Sequence, residues 1–203
     1  MGQLEIVSIP VASTKSMLET DANCYLVGTA NESILIDAGY DQEGSFQAIQ
    51  KAVQDSRLAT PSRILLTHSH PDHAPGAKRL KHWKATVMFH PQEESGIREA
   101  LSISRDDEAL PLQRLEDQAT LIVDGCPIVA LHSPGHTQGH LCFWLPEQKI
   151  LFSGDNVLGK GTTWIGPPEG NVRDYLHSLE QLQQLPIEHI APGHGPWIDN
   201  PKE

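Results

Sequence analysis

Cysteine, aromatic residues and basic charge are all scarce in this sequence of 203 residues. The cysteines are three, Cys24, Cys126 and Cys142, with no C-x-x-C pair and each inside an apolar run. An odd number without paired spacing excludes a disulfide framework and fits a reducing cytosol. No window approaches the roughly 18 apolar residues that a membrane span needs. The first residues, MGQLEIVSIP, carry neither a basic flank nor a long apolar stretch, so no signal peptide is expected and the protein is placed in the cytoplasm. Lys and Arg total 15 against 26 Asp and Glu, a formal net charge of −11. So acidic a surface repels phosphate backbones, which disfavours nucleic acid as a partner. There is no internal repeat, low-complexity tract or Pro/Ser-rich linker, and a coiled coil, a collagen-like repeat and an acidic tail are excluded.

Histidine is abundant, with 11 residues, which invites a search for metal ligands. Gly (16) and Pro (15) point to many loops between short elements. Apolar runs bounded by turn residues predict strands over Leu4–Ile9, Ala22–Val27, Ser33–Ile36, Arg63–Leu66 and Thr86–Phe89. A second set follows at Thr120–Val123, Pro127–Leu131, Leu141–Leu145, Lys149–Phe152 and His189–Ala191. Apolar spacings of three and four predict helices over Gly44–Leu58, Gln92–Leu101 and Asp174–Leu185. A further helix is expected over His73–Trp83, capped by the preceding Asp, and a polar surface loop over Ser102–Leu112. Two such halves would stack sheet on sheet with helices outside.

The chemistry concentrates where strands end. Thr67-His68-Ser69-His70-Pro71-Asp72-His73 follows an apolar strand. Residues two apart on an extended segment point the same way, so His68 and His70 can grip one ion, while Asp72 and His73 lie past the turn and can reach a second. His136 in SPGHT, Asp155 in FSGDN and His194 in APGHGP each follow a strand and stand beside glycine. One alone would be weak; together they form a constellation.

This motif series, THSHPDH, SPGHT, SGD and PGHG, resembles that of the metallo-β-lactamase superfamily in its glyoxalase II-like arrangement, from about residue 20 to 196. The resemblance implies an α/β fold, a four-layer αββα sandwich, expected here as one domain over residues 1–203. It implies two divalent metal ions, most plausibly zinc with manganese or iron as alternatives. His68, His70 and His136 would hold the first, and Asp72, His73 and His194 the second, with Asp155 bridging both. Ions held ~3.5–4 Å apart share a water and lower its pKa, so the implied reaction is hydrolysis by a bridging hydroxide that Asp72 orients and deprotonates. True metallo-β-lactamases of the commonest group carry a Cys where Asp155 stands, which turns the reading away from lactams.

The stretch GDNVLG-x-GT, then Tyr175-Leu176-x-Ser178-Leu179, looks like the β-lactamase-like subgroup of endoribonucleases, acyl-carrier thioesterases and bacterial hydrolases. Members usually continue past PGHGP into a C-terminal helical region, and the expectation here is a chain without it. A thioester, ester or lactone, small or borne on an acyl carrier, is the expected substrate class. Single-strand-specific RNA cleavage is the alternative and mono-iron sulfur dioxygenation the second alternative. Lys160 and Trp164, in the Gly- and Pro-rich loop after Asp155, are expected to line the substrate pocket.

Overall fold

A computed structural model describes residues 3–12, 21–104 and 110–201. Its strands fall into two six-stranded sheets. The first is built from β1 (Glu5–Val11), β2 (Ala22–Gly28), β3 (Ser33–Ile36), β4 (Arg63–Leu65), β5 (Thr86–Phe89) and β6 (Leu112–Arg114), in that spatial order. β1, β2 and β3 pair antiparallel; from β3 to β6 the pairing is parallel. The second contains β7 (Thr120–Val123), β8 (Cys126–His132), β9 (Leu141–Leu145), β10 (Ile150–Gly154), β11 (His189–Pro192) and β12 (Ile198–Asp199), again in sequence order, with only β10 and β11 parallel.

Alternation along each strand makes the layers, because successive side chains leave opposite faces. Tyr25, Val27, Ile34, Ile36, Leu65 and Met88 face the other sheet, where they meet Ile128, Leu141, Phe143, Ile150 and Phe152. The intervening Cys24, Leu26, Leu35, Ile64, Val87 and Phe89 face outward, against Ile49 of α1 (Glu43–Asp55) and Ile97 of α2 (Glu94–Leu101). On the far side Cys142, Trp144, Leu151 and Ile190 pack against Leu182 of α3 (Val172–Leu182). The order is therefore helix, sheet, sheet, helix: the αββα sandwich. Burying each large apolar side chain in these layers contributes ~1.5–3 kcal/mol. Tyr25 and Phe152 cross edge-to-face between the sheets with centroids 5.3 Å apart, and the Tyr25 hydroxyl donates to Pro192 O at 2.7 Å.

Several details differ from the sequence reading. Residues 75–83 form a 3-10 helix, Pro75–Trp83, not an α-helix reaching back to His73. Its N-cap is Ala74 with no side-chain cap, so Asp72 is released from capping. Pro75 lacks an N–H, and Gly76 presses so closely on Ala38 that a Cβ would lie 2.0 Å from its carbonyl oxygen. Gln92 sits in a 3-10 turn, Pro91–Glu93, before α2. α3 starts two residues early because the Asn171 side chain caps it, accepting from Arg173 N and Asp174 N. The end of the expected 102–112 loop joins the sheet as β6, and residues 105–109 of it lie outside the described residues. β12 is a two-residue strand too short to show in the sequence pattern.

The two sheets are tied where strands end in motif loops. Leu141 N donates to Thr67 O at 2.8 Å and Asn23 N to Gly193 O at 2.7 Å. Glu93, buried, joins two loops with one carboxylate: Oε2 accepts from Ser69 N and Oε1 from Gly139 N, both at 3.0 Å. Gly135 lets the loop before His136 meet α3: its φ is +141° and a Cβ there would lie 2.3 Å from Tyr175 Cα. Gly135→Ala must strain the backbone and push α3 away, so we expect a loss of about 2–4 kcal/mol in the urea unfolding free energy. An unchanged midpoint would show that the α3 contact is slack.

Candidate metal centre

All seven motif residues converge on one cleft. Its volume is about 440 Å³, and His70, Asp72, His136, Asp155 and His194 reach its surface. His68 and His73 lie beneath, fully buried. Three groups present ligand atoms within 4.8 Å of one another and could hold a metal: His68–His70–His136, His68–His73–Asp155, and Asp72–His73–His194. Asp155 stands between the histidines, with Oδ1 3.3 Å from His73 Nε2 and Oδ2 3.6 Å from both His136 Nε2 and His194 Nε2. Asp72 Oδ2 is 3.2 Å from His194 Nε2. Asp155 comes this close to the last loop because Gly193 has no side chain: a Cβ there would lie 2.3 Å from Asp155 Oδ1.

Which nitrogen of each ring is available follows from what the other one does. Asp37, at the end of β3, is the anchor. Its carboxylate accepts from Thr67 N at 2.8 Å and from the Thr67 hydroxyl at 2.9 Å. Oδ2 also accepts from His73 Nδ1 at 2.8 Å. With its proton given to Asp37, Thr67 Oγ1 accepts from His68 Nδ1 at 2.9 Å. Both rings therefore carry their proton on Nδ1 and turn Nε2 inward. His136 Nδ1 donates to Trp164 O at 2.7 Å and His70 Nε2 to Glu169 Oε2 at 2.9 Å. This leaves His136 Nε2 and His70 Nδ1 facing each other across 3.0 Å. Two lone pairs so placed repel unless a cation or a proton comes between them.

The same conclusion comes from groups with no hydrogen-bond partner. His68 Nε2, His73 Nε2, His194 Nε2 and Asp155 Oδ1 are buried without a hydrogen bond of good geometry. Buried polar atoms are rarely left so, and each orphan costs ~1–3 kcal/mol. Imidazole and carboxylate donors of this kind suit zinc or iron, so the residues fit the two divalent ions that the motif series implies.

Charge is arranged accordingly in the chain alone. Burial, with the neighbouring imidazoles, holds His68 well below the ordinary histidine range. Burial also lowers His136. For His73 burial is outweighed by Asp155, Asp72 and Asp37, which hold it well above that range. His194, opposed by burial but paired to Asp155 and Asp72, is pushed up to about 9. Burial would raise Asp155, yet His73 and His194 bring it well below the usual carboxylate range, and Asp72 is lowered by the same neighbours. The carboxylates are thus ionised and poised to receive cations.

Pro71, Leu158, Lys160 and Trp164 also line the cleft. Trp164 is 57% exposed, so its indole is available to a ligand rather than used in the core. Of the basic residues after the first motif, Lys78 and Arg79 are already engaged: both pair with Asp41, and Arg79 also with Glu43. His90 and His132 stack on each other with centroids 3.9 Å apart. Sequence reasoning missed Asp37, Glu93, Glu169 and His140; the buried His140 Nε2 accepts from Asp155 N at 3.1 Å and so fixes the backbone of that carboxylate. A lone Asp ending a strand was the only signal for Asp37. Asp37→Ala would strand three buried donors, Thr67 N, Thr67 Oγ1 and His73 Nδ1. We expect it to cost about 3 kcal/mol or more in urea unfolding; a loss below about 1 kcal/mol would remove Asp37 as the anchor.

Known proteins resemble this chain in sequence and in fold. The metallo-beta-lactamase superfamily profile matches residues 18–194. A beta-lactamase-like protein 2 homolog from Caenorhabditis elegans is 32% identical over 87% of this chain and 57% of its own length. An atrochrysone carboxyl ACP thioesterase from Aspergillus fumigatus is 32% identical over 88% of this chain and 52% of its own. The chain thus spans about half the length of these curated relatives. Among solved structures, a metallo-beta-lactamase family protein from Thermus thermophilus superposes with a TM-score of 0.81 at 26% identity, over 96% of this chain and 75% of that one. Another, solved in a di-iron-bound form, gives 0.72 at 29% identity over 93% and 94%. On the strength of the profile match, the relatives and the shared sandwich, this protein belongs to the metallo-beta-lactamase superfamily.

Proposed function

We propose that this protein is a metal-dependent hydrolase of small acyl substrates: thioesters, esters or lactones, free or borne on an acyl carrier. The observation that carries the reading is the set of buried imidazole nitrogens, His68 Nε2, His73 Nε2 and His194 Nε2, that have no hydrogen-bond partner and gather with Asp72 and Asp155 within ligand distance of one another. His68, His70 and His136 would hold one divalent ion, and Asp72, His73 and His194 the other, with Asp155 between them. When bound, such ions supply Lewis acidity toward a carbonyl oxygen and acidify water. Zinc suits the donor set, and the relative solved with two irons keeps iron in contention.

The chain's own residues supply the rest. Asp72, ionised and at the cleft surface, is the group to orient a nucleophilic water and take its proton. Trp164, Leu158 and Pro71 form an apolar wall for an acyl chain, and Lys160 offers one cation to an anionic group of the substrate. Relatives that carry the name of acyl-carrier thioesterases support that substrate class. RNA cleavage is the weaker reading: among the described residues Lys160 is the one Lys or Arg lining the cleft, and the net charge is −11. Among the described residues no helix is long and apolar enough to cross a membrane. Burial raises the thiol of Cys24 and pushes that of Cys142 up to about 12, which keeps both inert.

The test is a panel on one metal-loaded preparation at low salt, with acyl thioesters, esters and lactones in one arm and single-stranded RNA in the other. Asp155→Asn controls for contaminants in both. Acyl hydrolysis that falls ~100-fold or more in Asp155→Asn, about 2.7 kcal/mol of barrier, is expected. Efficient, Asp155-dependent cutting of RNA with every acyl substrate ignored would overturn the proposal.

A further inference from the structure

The segment Thr163–Asn171 touches the metal-centre residues at both ends and in the middle. At its start the Thr163 hydroxyl donates to Asp155 O at 2.9 Å. At its end Asn171 N donates to Gly135 O at 2.8 Å, beside His136, and Gly170 N closes the loop on Gly166 O at 2.7 Å. Between these anchors it engages two imidazoles of one candidate ligand group. Trp164 O accepts from His136 Nδ1, and the Glu169 carboxylate accepts from His70 Nε2. The two remaining nitrogens are the pair that face each other across 3.0 Å. His68, the third member, has its tautomer set by Thr67 and Asp37 instead.

We propose that Glu169 is a positioning residue for the first metal, and that residues 163–171 form a strap that sets the tautomer and aim of His70 and His136 while also walling the cleft. This rests on the hydrolase reading above, in which those residues hold a metal. An imidazole has two tautomers, and only the one protonated at Nε2 offers Nδ1 to a cation; a carboxylate acceptor at Nε2 selects it. A carboxylate also raises the basicity of the ring it accepts from, so it strengthens His70 as a donor beyond holding it still. Glu169 is 47% exposed at its side chain, and its only hydrogen bond or ion pair among the described residues is with His70. It contributes little to packing, so its role separates cleanly from stability.

The experiment uses the full chain carrying His194→Ala, which leaves the first ligand group intact and weakens the second. Cobalt(II) is titrated into this background and into the same background with Glu169→Ala or Glu169→Gln. Affinity is read by competition with a chromophoric chelator, geometry by the visible cobalt spectrum, and folding by thermal melting. Loss of ~10–100-fold in affinity is expected for Glu169→Ala, with an altered visible spectrum and an unchanged melting temperature of the metal-free protein. Glu169→Gln keeps an acceptor but not the charge, so a smaller loss, with the parental spectrum largely restored, is expected. Parental affinity and spectrum in both variants would overturn the strap while leaving the metal reading intact. A parent background that binds no cobalt would overturn the metal reading and the strap with it.

Discussion

Buried imidazoles are the constraint on which this structure turns. A histidine ring out of reach of water must place both nitrogens; here the outer nitrogens of three buried rings, His68, His73 and His136, and of the half-buried His70 each meet an oxygen. Asp37 holds His73 directly and His68 through Thr67; Trp164 O holds His136, and Glu169 holds His70. Once those protons are committed, the inner nitrogens have only lone pairs to offer, and they converge on a carboxylate, Asp155. A neutral, dry interior could not accommodate that convergence. Two cations held among these groups would accommodate it.

The sandwich exists to deliver these groups to one place. Strand ends from both sheets open at the same edge, so the loops after β4, β8, β10 and β11 meet although their residues are far apart in sequence. Backbone bonds from Leu141 to Thr67 and from Asn23 to Gly193 lock the two sheets in register at that edge. Glu93 adds a third tie, between the Ser69 and Gly139 loops. The cost of burying such a carboxylate is met by two backbone N–H groups. Precision at the centre therefore derives from the contact between sheets, with Tyr25, Phe143 and Phe152 among the largest buried side chains.

Much of this could be read in the sequence. Inward-facing groups sit in dense motifs, THSHPDH above all, and alternation of apolar residues made most strands legible. The groups that orient them could not be read. Asp37, Glu93 and Glu169 lie 30, 24 and 99 residues from their partners Thr67, Ser69 and His70, and beyond the strand end at Asp37 nothing in their local sequence marks them. Only the fold brings them near. β6 and β12 escaped for a different reason: β6 has one apolar residue, Leu112, before Gln113 and Arg114, and β12 is only two residues long. The 3-10 helix escaped because Pro75 and Gly76 respond to packing against Ala38 and Gly39, a tertiary demand that helical periodicity does not report.

The central claim is that seven side chains form two metal sites sharing Asp155. Metal content of purified, metal-reconstituted protein, counted per chain by native mass spectrometry, tests it most directly. Two ions in the parent chain, with the first site emptied in His68→Ala, is the result the account predicts. Two ions retained in His68→Ala would contradict it.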